Sequence, residues 1–342
     1  MRIQVVTQMW PSPENPDLGS FLVPLTREIG ELGHEIEVTS ISRRGGGPQK
    51  DSGLLVESVG TARRFRPDVV FAHFLFPSGA AGAAASLAAR CPLVVMAHGQ
   101  DVRNLTEIPG VKQATAAVVR RSSAVISNSR WLAGELAAVI PAAAPKTEIA
   151  DCGIDLDAFH PADAAAARRE LDWDGEGPAF LCVGSLLERK NVVALADAFA
   201  TLGRGRLAFV GDGPLRGRLE GRENVRVIGR IPQSDVPQWV AACDVLCQPS
   251  LIEPFGQATL EGMAMERSVV ATKVGGPPEF VSADAGILVD PEDHSALAAA
   301  LERAAALPSP NPAARVAAGK HDVKIEAAAM AAVLERAVAG AA

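Results

Sequence analysis

Tyrosine is absent from this chain of 342 residues, and aromatic side chains make up 4% of it. The hydrophobic fraction is nevertheless 48%, the ordinary value for a soluble α/β protein. An excess of positive charge is also missing. The formal net charge is -7, which argues against a general nucleic-acid binder. Most of the acidity lies past residue 160, where 18 Lys plus Arg face 24 Asp plus Glu, against 15 and 16 before it. The five cysteines (Cys91, Cys152, Cys182, Cys243, Cys247) form no C-x-x-C pair. That suits reduced thiols in a cytosolic protein better than a disulfide frame. Long apolar runs are lacking too. "MRIQVVTQMW" is too short a run for a signal peptide, and the Ala-rich stretch 80–89 is too short and too weakly apolar to span a bilayer. A cytoplasmic location is the expectation. There is no short-period repeat and no low-complexity tail.

What the chain does contain is an alternation of short β-branched runs with helical patterns, twice over. The first half offers "IQVVTQM", "EIEVTSI", "DVVFAHF", "PLVVMAH", "AVISNS" and "TEIADC". Helical spacing of Leu, Ala and Val fills Ser20–Leu32, Ser78–Arg90, Gly110–Arg120 and Trp131–Val139 between them. The second half offers "AFLCVGSL", "RLAFVGD", "NVRVIGR", "DVLCQPS", "SVVATKV" and "AGILVD". Such alternation predicts parallel sheets covered on both faces, and the length predicts two tandem Rossmann-like, doubly wound α/β domains. We place them at 1–160 and 161–320, joined near "DAFHPADAAAARREL". A last helix in 321–342 packs on one domain or bridges both.

Open parallel sheets bind ligands beyond the carboxyl ends of their strands, so two facing domains would make a cleft lined by strand-to-helix loops. The loop after "DVLCQPS" is the most informative. In "EPFGQATLEGMA", Pro254 and Gly256 shape a turn, and a helix begins at Gly256 or Gln257. The N–H groups near Phe255 to Gln257 then make an anion site at a helix N-terminus. Glu253 stands ahead of that site and Glu261 beyond it. Two carboxylates flanking a phosphate site, each able to accept from hydroxyls, fit a ligand with a diphosphate centre and a sugar at each end.

"QPSLIEPFGQATLEGMA" followed by "VVATKVGGPPEFV" resembles the signature of the retaining glycosyltransferases of family four, the glycogen-synthase-like members of the GT-B fold. The resemblance runs over nearly the whole chain. "NPDLGSFL" looks like the family's glycine loop, where Gly19 would let the chain approach the diphosphate. "AHGQD" looks like its His-Gly-x-Asp stretch, which puts His98 near the donor sugar. "ISNS" and "GIDLDAFHP" match the run closing the first domain. "VGSLLERKN" is similar to the donor-phosphate loop (Gly184, Ser185, Arg189, Lys190), with Lys190 matching the lysine that holds the diphosphate. "VGDGP" and "VIGRIP" match segments framing the nucleotide and bring in Gly229 and Ile231. The resemblance implies that Glu253 contacts sugar hydroxyls and Glu261 ribose hydroxyls. It also implies transfer with retention, without a bound metal or other cofactor, from a nucleoside-diphosphate sugar, UDP-linked by default. The acceptor could be an envelope polysaccharide, a lipid-linked sugar or a small molecule, and the sequence leaves the oligomeric state open. Two positions depart from the family pattern. Ser185 stands where Arg is common, so that one guanidinium fork is missing and Arg189 is a candidate substitute. Cys152 stands where Asn is common.

His73, at the end of another strand, is a candidate for acceptor binding together with Asp101, or else a core residue. "DLD" at Asp155–Asp157 superficially resembles a metal-binding Asp-x-Asp, although Asp157 also suits a helix N-cap. Arg63 to Arg66, with Arg43 and Arg44, could touch anionic lipid, but a solvated basic face is the simpler reading. A sugar-nucleotide epimerase and a non-catalytic sugar-nucleotide-binding protein of the same architecture remain the rival readings.

Overall fold

The structure, a computed structural model, describes residues 1–342 except 43, 44, 46 and 342, so Arg43 and Arg44 lie outside the described residues. The chain divides into two units, Met1–Gly153 with Val323–Ala342, and Ile154–Asp322. The division falls at Gly153, a few residues ahead of the join expected near 160, and the last helix belongs to the first unit.

In chain order the first unit contains β1 (Arg2–Thr7), α1 (Leu22–Glu31), β2 (Glu35–Ser40), α2 (Pro48–Phe65), β3 (Val69–His73) and α3 (Ser78–Ala89). It continues with β4 (Leu93–Ala97), α4 (Gln100–Glu107), α5 (Val111–Arg121), β5 (Ala124–Ser127), α6 (Arg130–Val139) and β6 (Thr147–Ile149). The second unit runs α7 (Ala164–Glu170), β7 (Ala179–Val183), α8 (Val192–Leu202), β8 (Arg206–Val210), β9 (Val225–Gly229) and α9 (Val236–Ala242). After these come β10 (Val245–Gln248), α10 (Gln257–Ala264), β11 (Ser268–Thr272), β12 (Gly286–Val289), α11 (His294–Ala305) and α12 (Pro312–Ala318). Helix α13 (Val323–Ala339) returns to the first unit.

Each unit holds a six-stranded parallel sheet, ordered β2-β1-β3-β4-β5-β6 in the first and β12-β11-β10-β7-β8-β9 in the second. Alternate residues of every strand feed opposite faces. In β3, Val70 and Ala72 join the core beneath α3 and α5, while Val69 and Phe71 face α1 and α13. In the second sheet Phe180 and Phe209 pack under α8 and α11, and Leu181 and Ala208 pack on the other side. Both faces are therefore covered, which is why the strands read as nearly unbroken apolar runs.

Helix α13 packs on the sheet of the first unit. It buries Val323, Ala327, Met330 and Leu334 against Ile3, Phe71 and Met96 of the first sheet. Gly153 permits its entry: φ is +67°, and a Cβ there would stand 2.3 Å from the Cα of Val323. The sequence pattern missed α2. Gly53 and Gly60 interrupt it and a glycine-rich run precedes it, so its period is weak. Arg63 and Arg64 sit in its last turn, where positive charge complements the helix dipole.

The Ala-rich stretch expected to be helical is α3, and its small residues let it lie close on the sheet. A Cβ at Gly82 would be 2.9 Å from the Cβ of Ala72. Gly82→Val should therefore destabilise the protein by about 1–3 kcal/mol through overpacking. Calorimetry should show a melting temperature lower by several degrees, at about 2–4 °C per kcal/mol.

Candidate functional site

In the second sheet the strand order reverses between β7 and β10, and ligands of open α/β sheets bind at such a switch point. The loops leaving these two strands carry the predicted residues. After β7 the chain turns at Gly184 (φ +139°), whose N–H donates to the Val210 carbonyl at 2.9 Å. Neighbouring glycines make this packing possible. A Cβ at Gly211 would lie 1.9 Å from the Gly184 oxygen, and one at Gly213 would lie 2.5 Å from the Leu186 oxygen. The glycines of "GDG", expected to frame a nucleotide, thus have a structural reason to be there. Ser185 is exposed at the rim, and a single 3-10 turn, Glu188–Lys190, swings Lys190 inward. The Arg189 carbonyl accepts from Leu251 N at 2.9 Å, tying this loop to the one after β10.

From β10 the chain reaches Glu253, which is braced by the Gly-Gly pair that follows β11. Glu253 N donates to the Val274 carbonyl at 3.1 Å, and Gly276 N donates to the Glu253 carbonyl at 2.9 Å. A Cβ at Gly275 (φ +118°) would stand 2.0 Å from the Glu253 oxygen, so the position requires glycine. Lys190 Nζ lies 2.5 Å from Glu253 Oε2 and Ser250 Oγ donates to the same oxygen at 2.9 Å, with both charged side chains nearly free of solvent. Burial alone would raise the Glu253 carboxyl. The charge and hydrogen bond of Lys190, helped by Ser250 and the charge of Arg189, outweigh that and hold it below the ordinary carboxylate range.

Pro254 and Phe255 carry the chain from Glu253 to α10, with Phe255 edge-on to Phe280 at 5.9 Å. Helix α10 begins after Gly256 (φ +111°), a residue with no side chain to cap it, so Gln257 opens the first turn. One turn on, Glu261 is buried with an amide for company: Gln233 Nε2 donates to its Oε1 at 3.3 Å. Burial pushes the Glu261 carboxyl up to about 8, opposed weakly by that hydrogen bond. Gly229 (φ +89°), ahead of Ile231, ends β9, and its carbonyl accepts from Gly211 N at 2.8 Å.

In the first unit the switch point lies between β1 and β3. The loop after β1 contains Gly19 (φ +70°), where a Cβ would come within 2.6 Å of the Met9 oxygen. His73 ends β3 and His98 follows β4; His73 Nδ1 and His98 Nε2 are 3.1 Å apart. Phe74 and Phe21 lie against the His98 ring at 4.4 and 5.6 Å. Burial lowers His73 to about 3 and takes His98 well below its ordinary value, with its neighbour His73 adding to the effect, so both rings are neutral near pH 7. Cys152 Sγ stands 4.0 Å from His98 Nδ1, and burial keeps that thiol protonated. The carboxylate of Asp101 is spent on the backbone. It accepts from the N–H groups of Leu75, His98, Gly99 and Val102 at 2.8–3.1 Å, fixing the loop that presents His98.

Three features of the second unit escaped sequence reasoning: Ser250, Gln233 and the bracing role of Gly275. Ser250 lay inside the quoted "QPSLIE" motif, but the side chain it serves depends on a turn that spacing does not reveal. Gln233 is 28 positions from its partner.

A buried acid whose pKa rises on folding keeps a proton that the unfolded chain releases above about pH 4.3. Glu261 should therefore make stability decline as pH climbs from there to about 8. Glu261→Gln should melt higher than the parent at pH 8, with the gain closing toward pH 5. Melting curves at a series of pH values check this, and a gain independent of pH would contradict the burial argument.

Comparison with known proteins agrees with this geometry. The family model for group 1 glycosyl transferases matches residues 177–306, and that for glycosyltransferase family 4 matches residues 18–158. A D-inositol 3-phosphate glycosyltransferase of Segniliparus rotundus is 31% identical over 263 residues, 70% of this chain and 58% of that protein. The chain spans about three fifths of the length of the curated relatives it matches first. Sucrose-phosphate synthase from Thermosynechococcus elongatus superposes with a TM-score of 0.81 at 20% identity, covering 99% of this chain and 100% of that one. The Anabaena protein HepE in complex with UDP-glucose gives 0.75 at 22%, covering 98% and 100%. The chain belongs to the group 1, or family four, glycosyltransferases and has their GT-B fold.

Proposed function

We propose that this protein transfers a glycosyl group from a nucleoside-diphosphate sugar to an acceptor hydroxyl, with retention at the anomeric carbon and without a bound metal. The observation that carries the reading is the Lys190–Glu253 pair, set at the switch point beside the N-terminus of α10. A cation and a helix N-terminus at one strand end make a site for a diphosphate. HepE, which shares the fold, is in complex with UDP-glucose, which supports a UDP-linked donor.

The residues divide the work by charge. As the bond from the anomeric carbon to the diphosphate breaks, negative charge grows on the leaving oxygen. Lys190 and the first-turn amides of α10 oppose it, each preorganised donor contributing on the order of 3 kcal/mol. Glu253 keeps Oε2 on Lys190 and Ser250, which leaves Oε1 for hydroxyls of the sugar. Glu261 is protonated near pH 7, so it both donates to and accepts from ribose hydroxyls without repelling the phosphates. Neither acid presents a bare charge to the donor. The acceptor oxygen attacks from the side of the departing diphosphate, which takes its proton; no protein nucleophile is required.

Lys190→Gln and Glu253→Gln should each lower donor-dependent transfer on the order of a hundredfold or more while circular dichroism stays unchanged. Proton NMR of the product should show the donor's anomeric configuration, and EDTA should leave the rate as it was. Conversion of the donor without any acceptor would instead point to epimerase chemistry. Binding without turnover across a broad acceptor panel would point to a non-catalytic sensor.

A further inference from the structure

One buried polar side chain at the switch point has no part in the reading above. Gln248 is the last residue of β10, is 3% exposed, and lies beside Cys182 of the neighbouring strand. Its amide stands 3.8 Å from where a Cβ on Gly184 would be, directly under the phosphate loop. With its oxygen toward Lys190 Nζ, at 3.1 Å, its nitrogen donates to the Cys247 carbonyl at 3.3 Å. The opposite orientation would set an NH2 group against an ammonium, donor against donor.

We propose that Gln248 is a positioning residue for Lys190, sharing with Glu253 the task of fixing where the ammonium stands. The inference rests on the glycosyltransferase reading for its purpose, though not for its geometry. An ammonium has three N–H donors on a stem of four rotatable carbons. Glu253 Oε2 takes one and Gln248 Oε1 takes a second, so the third is left for a phosphate oxygen. One contact would leave the group free to swing about the Glu253 oxygen. Two contacts, one from the end of β10 and one from the loop that follows it, define its position. Ser185 gives the demand its weight: the serine supplies no guanidinium to share the leaving-group charge, so the work falls on a lysine that must already be in place before the donor arrives.

The test separates position from packing. Gln248→Met keeps length and burial and removes the oxygen. Gln248→Glu keeps an acceptor and adds a charge. Gln248→Asn keeps the amide and withdraws it by one carbon. In the ligand-free protein, nitrogen-15 spectra should show a slowly exchanging Lys190 ammonium in the parent and in Gln248→Glu, and none in Gln248→Met or Gln248→Asn. UDP, used as the probe, should bind Gln248→Met about tenfold more weakly than the parent. It should bind Gln248→Glu more weakly still, because the added charge neutralises the lysine. In transfer assays Gln248→Met should lose mainly kcat, and Gln248→Glu should lose mainly KM for the donor. A protected ammonium in Gln248→Met, or UDP affinity within twofold of the parent in that variant, overturns the proposal. A parent protein that binds none of UDP, GDP and ADP sinks the nucleotide-sugar reading instead, while the ammonium spectra still decide the role of Gln248.

Discussion

The Lys190–Glu253 ion pair is the interaction on which the second unit's loops depend. A charge pair taken out of water at this burial is a net gain only when its remaining hydrogen-bonding capacity is met, and removing one partner of such a pair costs about 3–5 kcal/mol. The surroundings are arranged accordingly. Ser250 satisfies the carboxylate, the Gly275–Gly276 turn clamps the glutamate backbone, and Leu251 ties the two loops through Arg189. These groups come from the loops leaving β7, β10 and β11, so the pair also sets how those three loops sit together.

Two acids beside the proposed diphosphate site pose an electrostatic problem, and the unit meets it in two ways. Glu253 is ionised and cancelled by a lysine. Glu261 has no cation beside it among the described residues, and burial keeps it protonated near pH 7. The first arrangement needs a cation from a loop elsewhere in the chain, whereas the second needs burial and one amide, that of Gln233. Both leave carboxyl oxygens for hydroxyl groups while removing the charge that would repel phosphate.

The first unit shows the same economy with neutral groups. Asp101 was a candidate for ligand binding by its place in "AHGQD", yet its oxygens accept four backbone N–H groups and hold the His98 loop in shape. His73 faces His98 ring to ring and not solvent. Burial keeps both rings uncharged, so the pair shares one hydrogen bond with one ring as donor and the other as acceptor.

The strands, their parallel arrangement and the positions of the glycine turns were legible in the sequence, because β-branched runs of this length bounded by Gly and Asp have few other ways to fold. Glu253 and Glu261 were legible as a pair because they share one turn and one helix. The helix α2 was not, since its glycines blur the period, and the placement of α13 was not, since an apolar stripe fits whichever sheet is left uncovered. Sequence spacing determined which residues stand at strand ends. Only the tertiary structure decided which of them meet: Lys190 with Glu253 across 63 positions, Gln233 with Glu261 across 28, and His73 with His98 across 25. The physical reason is that strand order, unlike strand position, follows from how helices cover a sheet, and that order brings the ends of β7 and β10 side by side.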